Sequence, residues 1–181
     1  MENILAIDVK YYDNEYKVCG VLFHNWNDKE PDKILSLKIH KTPNNYIPGE
    51  FYKRELPAIM EFLKYYKLHP NWLIVDGFSL LQDNKGKFKD GLGNHVQHEL
   101  IANRYNTNVV GIAKSNFCRT NEIVNKIYRG KSRNPLYVQG LAYPENIQNM
   151  YGSYRIPEML KICDFYTKHD GEDEIFNEIF E

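Results

Sequence analysis

Three acidic residues lie where an α/β protein would build a metal-dependent site. Asp8 interrupts an apolar run near the N-terminus, and Asp76 ends a second apolar run. Glu55 lies near the start of a helical pattern between them. Ligands of open α/β sheets bind outside the carboxyl ends of strands, where Asp76 is expected and which Glu55 could reach. Three carboxylates suit Mg²⁺, or Mn²⁺, which would polarise a phosphate and activate a water molecule.

Each acid also has a simpler structural explanation. Asp76 with Gly77 after a strand is often only a turn, and Glu55 alone would be a solvated helix residue. Asp8 is the hardest to explain in this way, because a carboxylate in an apolar strand is costly to bury without a partner. The alternative for the three residues together is a shared catalytic and metal-binding site.

The segment before Glu55 combines a rigid tip with a flexible turn. Tyr46, Ile47 and Pro48 form an aromatic and apolar tip, and Gly49 follows them. Such side chains can act as a nucleic-acid wedge that unstacks bases, and enzymes that inspect a base must take it out of the stack. Gly49 would let the backbone approach the extruded base in a base pocket. The alternative is an ordinary Pro-Gly turn that covers the core.

A lysine and two histidines are further candidates. Lys114 follows an apolar run and could hold a phosphate as a point charge, although a solvated lysine at a strand end is the alternative. His95 and His98 lie three residues apart on a predicted helix, which superficially suggests zinc. They lack the four-residue spacing of the HExxH pattern. We therefore expect His95 to be structural and His98 to lie on the surface.

The elements that must position these residues follow from hydrophobic periodicity. Strands are predicted over residues 4–9, 15–24, 33–40, 72–75, 108–112 and 136–139. Helices are predicted over residues 50–66, 94–104 and 156–168, and residues 78–93 are predicted to be a loop. Three antiparallel strands followed by alternating helices and strands predict an α/β fold of the ribonuclease H-like class, a mixed sheet with flanking helices.

Length, charge and cysteine content limit the class of protein. The 181 residues suit one domain with an acidic tail over about residues 170–181. A net charge of -1 means that nucleic acid must be held by a local basic patch, for which residues 126–133 are a candidate and a solvated loop the alternative. Cys19 and Cys163 are expected to be buried thiols. We expect a cytoplasmic monomer without membrane contact, because neither a spanning segment nor a signal-peptide pattern is present.

Six segments, in the same order, resemble the endonuclease V family, which cuts nucleic acid near deaminated bases such as inosine. They are residues 6–9, 46–57, 75–77, 91–95, 110–115 and 154–164. The resemblance implies the ribonuclease H-like fold and a Mg²⁺-dependent endonuclease acting on DNA or RNA that contains deaminated bases. It implies that Asp8, Glu55 and Asp76 are the metal-binding and catalytic acids and that Lys114 belongs to the active site.

The resemblance also implies a wedge over residues 46–49, with backbone groups near Gly49 and Gly77 reading the base. Two family histidines are absent, because Leu141 and Gln82 stand in their positions. Leucine can neither bind a metal nor relay a proton, which keeps a second hypothesis open: a catalytically weakened protein that binds inosine or nucleic acid. A third is a scaffold domain, but a scaffold has no physical need for clustered buried carboxylates.

Overall fold

The chain alternates strands and helices in the order that periodicity indicates. The computed structural model describes residues 2–42, 45, 47–83, 85–116 and 123–169. The strands are β1 (Ile4–Tyr11), β2 (Tyr16–Phe23), β3 (Lys33–Ile39), β4 (Trp72–Asp76), β5 (Leu80–Gln82), β6 (Phe88–Asp90), β7 (Asn108–Ala113), β8 (Asn125–Ile127) and β9 (Leu136–Gly140). The helices are α1 (Tyr52–Tyr66), α2 (Leu92–Ala102) and α3 (Glu158–Lys168), and Ile147–Asn149 form a short 3₁₀ turn.

Within these described residues, seven strands form one mixed sheet in the order β3-β2-β1-β4-β7-β9-β8. The first three strands form an antiparallel meander. Strands β1, β4 and β7 are parallel, so their carboxyl ends meet at one edge of the sheet. Strands β9 and β8 close the sheet in antiparallel orientation. This topology confirms the predicted ribonuclease H-like mixed sheet with antiparallel N-terminal strands.

The two faces of the sheet carry separate cores because side chains alternate along each strand. In β1, Ile4 and Ala6 pack in the cluster that contains the apolar residues of α3. Leu5 and Ile7 pack in the cluster that contains those of α1 and α2. Helix α3 therefore covers one face of the sheet, and α1 and α2 cover the other. The alternation continues past the core and sets the direction of the polar residues at the strand ends.

The structure departs from the predicted elements at the connection after β4. Residues 78–93 are not all loop, because β5 and β6 pair as a small separate hairpin. Three-residue strands are too short to give a readable alternation, and that is why periodicity missed them. Helix α2 begins at Leu92 rather than at Asn94, whose side chain donates a hydrogen bond to Asp90 at 2.9 Å. Strand β8 was also not predicted.

The remaining expectations concern the cysteines, the start of α1 and the length of apolar helices. Cys19 and Cys163 are buried thiols, as predicted, whereas Cys118 and the acidic tail lie outside the described residues. Helix α1 begins at Tyr52 and contains Pro57, which is exposed. A search of the described residues found no helix with the length and apolarity that a membrane crossing requires.

Candidate active site

Asp8 and Asp76 lie side by side at the edge where parallel strands end. The register of β1 and β4 pairs Ile7 with Val75, so the two aspartates are the next residues on adjacent strands. By the alternation described above, both share the sheet face that α3 covers. Helix α3 contributes Thr167, whose hydroxyl lies 3.2 Å from Asp8 Oδ2. Burial raises the pKa of Asp8, and the nearby charge of Asp76 raises it further.

Glu55 reaches the same site from the first turn of α1 and is almost fully buried. Burial raises its pKa to about 8, and the charges of Asp8 and Asp76 act in the same direction. A hydrogen bond with Tyr11 opposes this rise. The Tyr11 hydroxyl also donates to the backbone carbonyl of Arg54 at 2.9 Å, and the Arg54 guanidinium lies 3.8 Å from the centre of the tyrosine ring. Tyr11 therefore fixes the start of α1 against β1.

Lys114 emerges one residue beyond β7 and faces the acids. Its Nζ atom lies 3.3 Å from Asp76 Oδ2. Burial alone would lower the pKa of Lys114, but the neighbouring aspartates, Asp76 foremost, raise it above its usual value. The lysine is therefore a cation at physiological pH, placed among carboxylates. Arg155 secures the backbone at this point, because its Nη1 donates to the Lys114 carbonyl at 3.1 Å.

Two cavities open onto the acids. One of about 200 Å³ is lined by Asp8, Glu55 and Asp76 together. The other, of about 30 Å³, is lined by Asp8, Asp76, Lys114 and Asp164 of α3. Either volume exceeds the roughly 10–15 Å³ that one water molecule needs. The three acids predicted from sequence are thus neighbours in space, with Lys114 beside them and Asp164 as a fourth carboxylate.

The donor set fits a hard divalent cation. Carboxylate oxygens are the ligands that Mg²⁺ and Mn²⁺ prefer. The raised pKa values of Asp8 and Glu55 reflect burial and mutual repulsion, which a bound cation would offset. Among the described residues, no three His, Cys, Asp or Glu side chains already lie in a metal-binding arrangement. Lys114 instead supplies the positive charge next to Asp76.

A separate cavity of about 200 Å³ lies beside this site and is lined by both predicted base-pocket residues, Gly49 and Gly77. Phe51, Tyr52, Phe78 and Leu92 contribute apolar walls. Gly49 has φ of +79°, a conformation that residues with a Cβ rarely adopt. Its carbonyl accepts a hydrogen bond from Lys89 Nζ at 3.2 Å. The wall of this cavity therefore depends on a residue without a side chain.

The predicted wedge is only partly described. Ile47 is 47% exposed, and Glu50 N donates to the Ile47 carbonyl at 2.9 Å across the turn that contains Pro48 and Gly49. Tyr46 lies outside the described residues. Ile47 thus stands in solvent near the glycine-lined cavity, and the contribution of Tyr46 stays a prediction.

The loop that carries Gly77 is held by a contact that sequence analysis missed. The Gln139 side-chain oxygen accepts hydrogen bonds from the backbone N–H groups of Ser79 and Leu80, at 3.0 and 2.9 Å. Gln139 is buried in β9, 60 residues from Ser79. These contacts fix the backbone of Ser79, and its side chain packs near Gly93 and Gly111.

Leu141 and Gln82, which stand where the resemblance implies histidines, do not lie beside the three acids. Strand β9 runs antiparallel to β7 and pairs Gly140 with Val110, so Leu141 lies toward the opposite end of the sheet from Lys114. Leu141 is 67% exposed, and the Gln82 side chain donates to the Gly86 carbonyl at 3.0 Å. Neither residue lines the two cavities at the acids. The structure therefore gives no geometric reason to expect that Leu141 weakens catalysis.

The remaining candidates, two histidines and a basic segment, make contacts with other parts of the protein. His95 stacks on Tyr52 with ring centroids 3.4 Å apart, and His98 pairs with Asp90 at 3.7 Å. Arg129 does not contribute to a basic surface over residues 126–133. It is 7% exposed and donates to backbone carbonyls rather than to solvent. The prediction of a basic patch that includes Arg129 is wrong, since that charge is used inside the protein.

Comparison with known proteins gives the family. A sequence profile described as endonuclease V matches residues 1–149. The chain belongs to the endonuclease V family. This membership supports a nuclease that acts on nucleic acid. A comparison with curated proteins found no significant match.

Solved structures agree on the fold of this endonuclease V family protein. The endonuclease V of Bacillus subtilis superposes with a TM-score of 0.67 at 15% identity, over 93% of this chain and 80% of that one. The endonuclease V of Streptomyces avermitilis gives 0.63 at 16% identity, over 99% and 83%. A protein of unknown function from Archaeoglobus fulgidus gives 0.54 at 14% identity, over 93% and 97%. At these identities the likeness concerns the fold alone.

Proposed function

We propose that this member of the endonuclease V family is a metal-dependent endonuclease that hydrolyses a phosphodiester near a deaminated base, such as inosine, in DNA or RNA. One observation carries the proposal. Asp8, Glu55 and Asp76 line one cavity, and Gly49 and Gly77 line the cavity beside it. A site for phosphate chemistry and a site for a base would therefore lie next to each other. Repair or processing of nucleic acid would be the purpose of such cleavage.

The three acids would hold the metal. Mg²⁺ is the expected ion, with Mn²⁺ as a substitute, because both favour oxygen ligands completed by water and phosphate. When bound, the ion would polarise the scissile phosphate and lower the pKa of a water molecule. Support comes from the raised pKa values of Asp8 and Glu55, since these carboxyls repel one another without a cation.

The other residues would bind and orient the strand. Lys114 would hold a phosphate oxygen as a point charge while Asp76 fixes the direction of its side chain. The apolar tip of Tyr46, Ile47 and Pro48 would support the bases left behind when one base leaves the stack. The backbone at Gly49 would read that base in the cavity. As expected for the family, the products would be a 3′-hydroxyl and a 5′-phosphate.

The test uses end-labelled oligonucleotides of DNA and RNA, each with one inosine or none, incubated with Mg²⁺, Mn²⁺ or EDTA. Metal-dependent cutting near inosine is the expected result. Selective retention of the inosine strand in a gel shift without any product would instead favour the catalytically weakened binding protein. Neither cutting nor selective binding would contradict the proposed function.

A further inference from the structure

Tyr154 presents its ring to solvent close to the candidate active site. The residue is 70% exposed, and Lys161 Nζ of α3 lies 5.2 Å from the centre of its ring. Lys161 also pairs with Glu158 at 2.9 Å, which holds the ammonium group in place. The ring therefore lies largely in solvent, with a fixed cation over it. This pair is the kind of surface on which an unpaired nucleobase stacks.

The loop that carries Tyr154 is held rigidly by a buried arginine. Arg129 donates to the backbone carbonyls of Gln148 at 3.1 Å and Gly152 at 3.2 Å, and it also donates to the Met150 carbonyl. Burying a guanidinium is costly, and burial lowers the pKa of Arg129 accordingly. A buried charge thus holds this surface loop in place.

Two further contacts fix the same loop. A side chain at Gly130 would place its Cβ 1.9 Å from the Ser153 carbonyl oxygen, so the two backbones touch. At the other end, Glu158 N donates to the Tyr151 carbonyl at 2.9 Å. A loop held at both ends keeps the backbone of Tyr154 in place. Such preorganisation lowers the entropic cost of binding a ligand on the ring.

The loop is joined directly to the acids. Arg155, the next residue, donates to the Lys114 carbonyl at 3.1 Å. Ile156, two residues on, lines the small cavity together with Asp8 and Asp76. Two residues of extended chain span at most about 7 Å. The Tyr154 backbone is therefore at most about 7 Å from that of a residue that lines the cavity beside the carboxylates.

We propose that Tyr154 is a stacking platform for an unpaired base of the nucleic-acid strand that lies across the acids. The proposal deepens the proposed function, on which it rests. Tyr154 lies on the α3 side of the sheet, whereas Ile47 and the glycine-lined cavity lie on the side of α1 and α2. The strand would cross the edge of the sheet between the wedge and the platform. The acids and Lys114 would then meet the phosphates between these two base contacts.

The test is fluorescence anisotropy of a labelled single-stranded oligonucleotide in EDTA, where binding is measured without cleavage. Tyr154→Ala is expected to weaken binding about tenfold, because one base–aromatic stack is lost. Tyr154→Phe should retain wild-type affinity, since stacking needs the ring and not the hydroxyl. Tyr65→Ala is the matched control, because Tyr65 is 65% exposed on α1 and has no part in the platform.

The outcomes separate this proposal from the proposed function. Equal affinity of Tyr154→Ala and wild type, with equal unfolding temperatures, would overturn the platform even if inosine strands are cut. Binding that depends on Tyr154 without any cutting would support the platform and count against the nuclease. A loss of affinity in Tyr154→Phe as large as that in Tyr154→Ala would overturn stacking as the mode of contact.

Discussion

Lys114 Nζ lies 3.3 Å from Asp76 Oδ2, although the residues are 38 positions apart. The contact joins the ends of two parallel strands, β4 and β7. It places one cation among several carboxylates at the edge where a phosphate would bind. The pair therefore gives Lys114 a fixed direction before any substrate arrives.

Replacing Lys114 by methionine is expected to lower cleavage about 10- to 100-fold, because a preorganised charge on the phosphate is lost. The measurement is single-turnover cleavage with Mg²⁺ at saturating protein. Lys33→Met is the control, since Lys33 is an exposed lysine of edge strand β3. Cleavage by Lys114→Met at the wild-type rate would exclude a role for the lysine in the reaction.

Glu55 makes the stability of the metal-free protein depend on pH. Its pKa is about 8 in the folded state, above the ordinary value of 4.5 that applies to the unfolded chain. The folded state thus binds the proton more tightly, and the free energy of unfolding falls as pH rises from about 4.5 to 8. The slope is at most about 1.4 kcal/mol per pH unit.

Glu55→Gln should flatten this slope, and the residual slope would come from Asp8. The measurement is urea unfolding in EDTA at several pH values. Glu145→Gln, at an exposed position, is the control and should leave the slope unchanged. A wild-type free energy of unfolding that rises over this range would show that the carboxyl is ionised without a metal.

Mg²⁺ should stabilise the folded protein, and more at pH 8 than at pH 5. The cation needs deprotonated carboxylates, and at 100 times its Kd a ligand adds about 2.7 kcal/mol. Thermal unfolding with and without Mg²⁺ measures the effect. The shift should shrink in Asp8→Asn and persist in Asp13→Asn, an exposed change in the turn between β1 and β2. Equal shifts in both variants would place the bound ion elsewhere.

Gly49 and Gly86 provide a matched pair for the base cavity, since both have φ of +79°. An alanine at either position costs about 1 kcal/mol of stability through backbone strain. At Gly49 the new Cβ would also lie 2.8 Å from Lys89 Nζ, whereas at Gly86 its nearest contact is ordinary. Only Gly49→Ala should reduce the ratio of affinities for inosine and control strands. A similar reduction in Gly86→Ala would attribute the effect to strain.

Leu141→His should leave cleavage within about twofold of wild type, because surface changes away from the reacting groups have small effects. The register of β9 places this position toward the end of the sheet that is opposite Lys114. Steady-state cleavage with Mg²⁺ is the measurement, compared with the exposed change Tyr143→His. A gain of tenfold or more would show that position 141 reaches the active site during catalysis.

Sequence analysis could predict the parts of the site that depend on strand periodicity. Asp8, Asp76 and Lys114 end or interrupt apolar runs, and parallel strands bring such ends together. The contact of Thr167 with Asp8 spans 159 positions, and no local pattern encodes it. The same holds for the Gln139 contact with the loop after β4, which spans 60 positions.

Leu141 is a residue that the sequence places at the active site and the structure does not. A motif match assigned it to the active site, but the antiparallel direction of β9 carries it away, and only the pairing register contains that information. Arg129 fails for a related reason. Its neighbours in sequence are basic, whereas its partners are carbonyl groups about 20 positions further along the chain. A charge pattern describes only neighbours in sequence, so it does not indicate such partners.

A metal-dependent nuclease site built from the three acids is tested best by comparing wild type with Asp76→Asn on one substrate. End-labelled DNA and RNA strands with a single inosine are incubated with Mg²⁺ or EDTA, and unfolding temperatures are matched first. Wild type is expected to cut near inosine in Mg²⁺ and not in EDTA. Asp76→Asn is expected to cut at least about 100-fold more slowly. Cutting by Asp76→Asn at the wild-type rate, or equal cutting in EDTA, would exclude such a site.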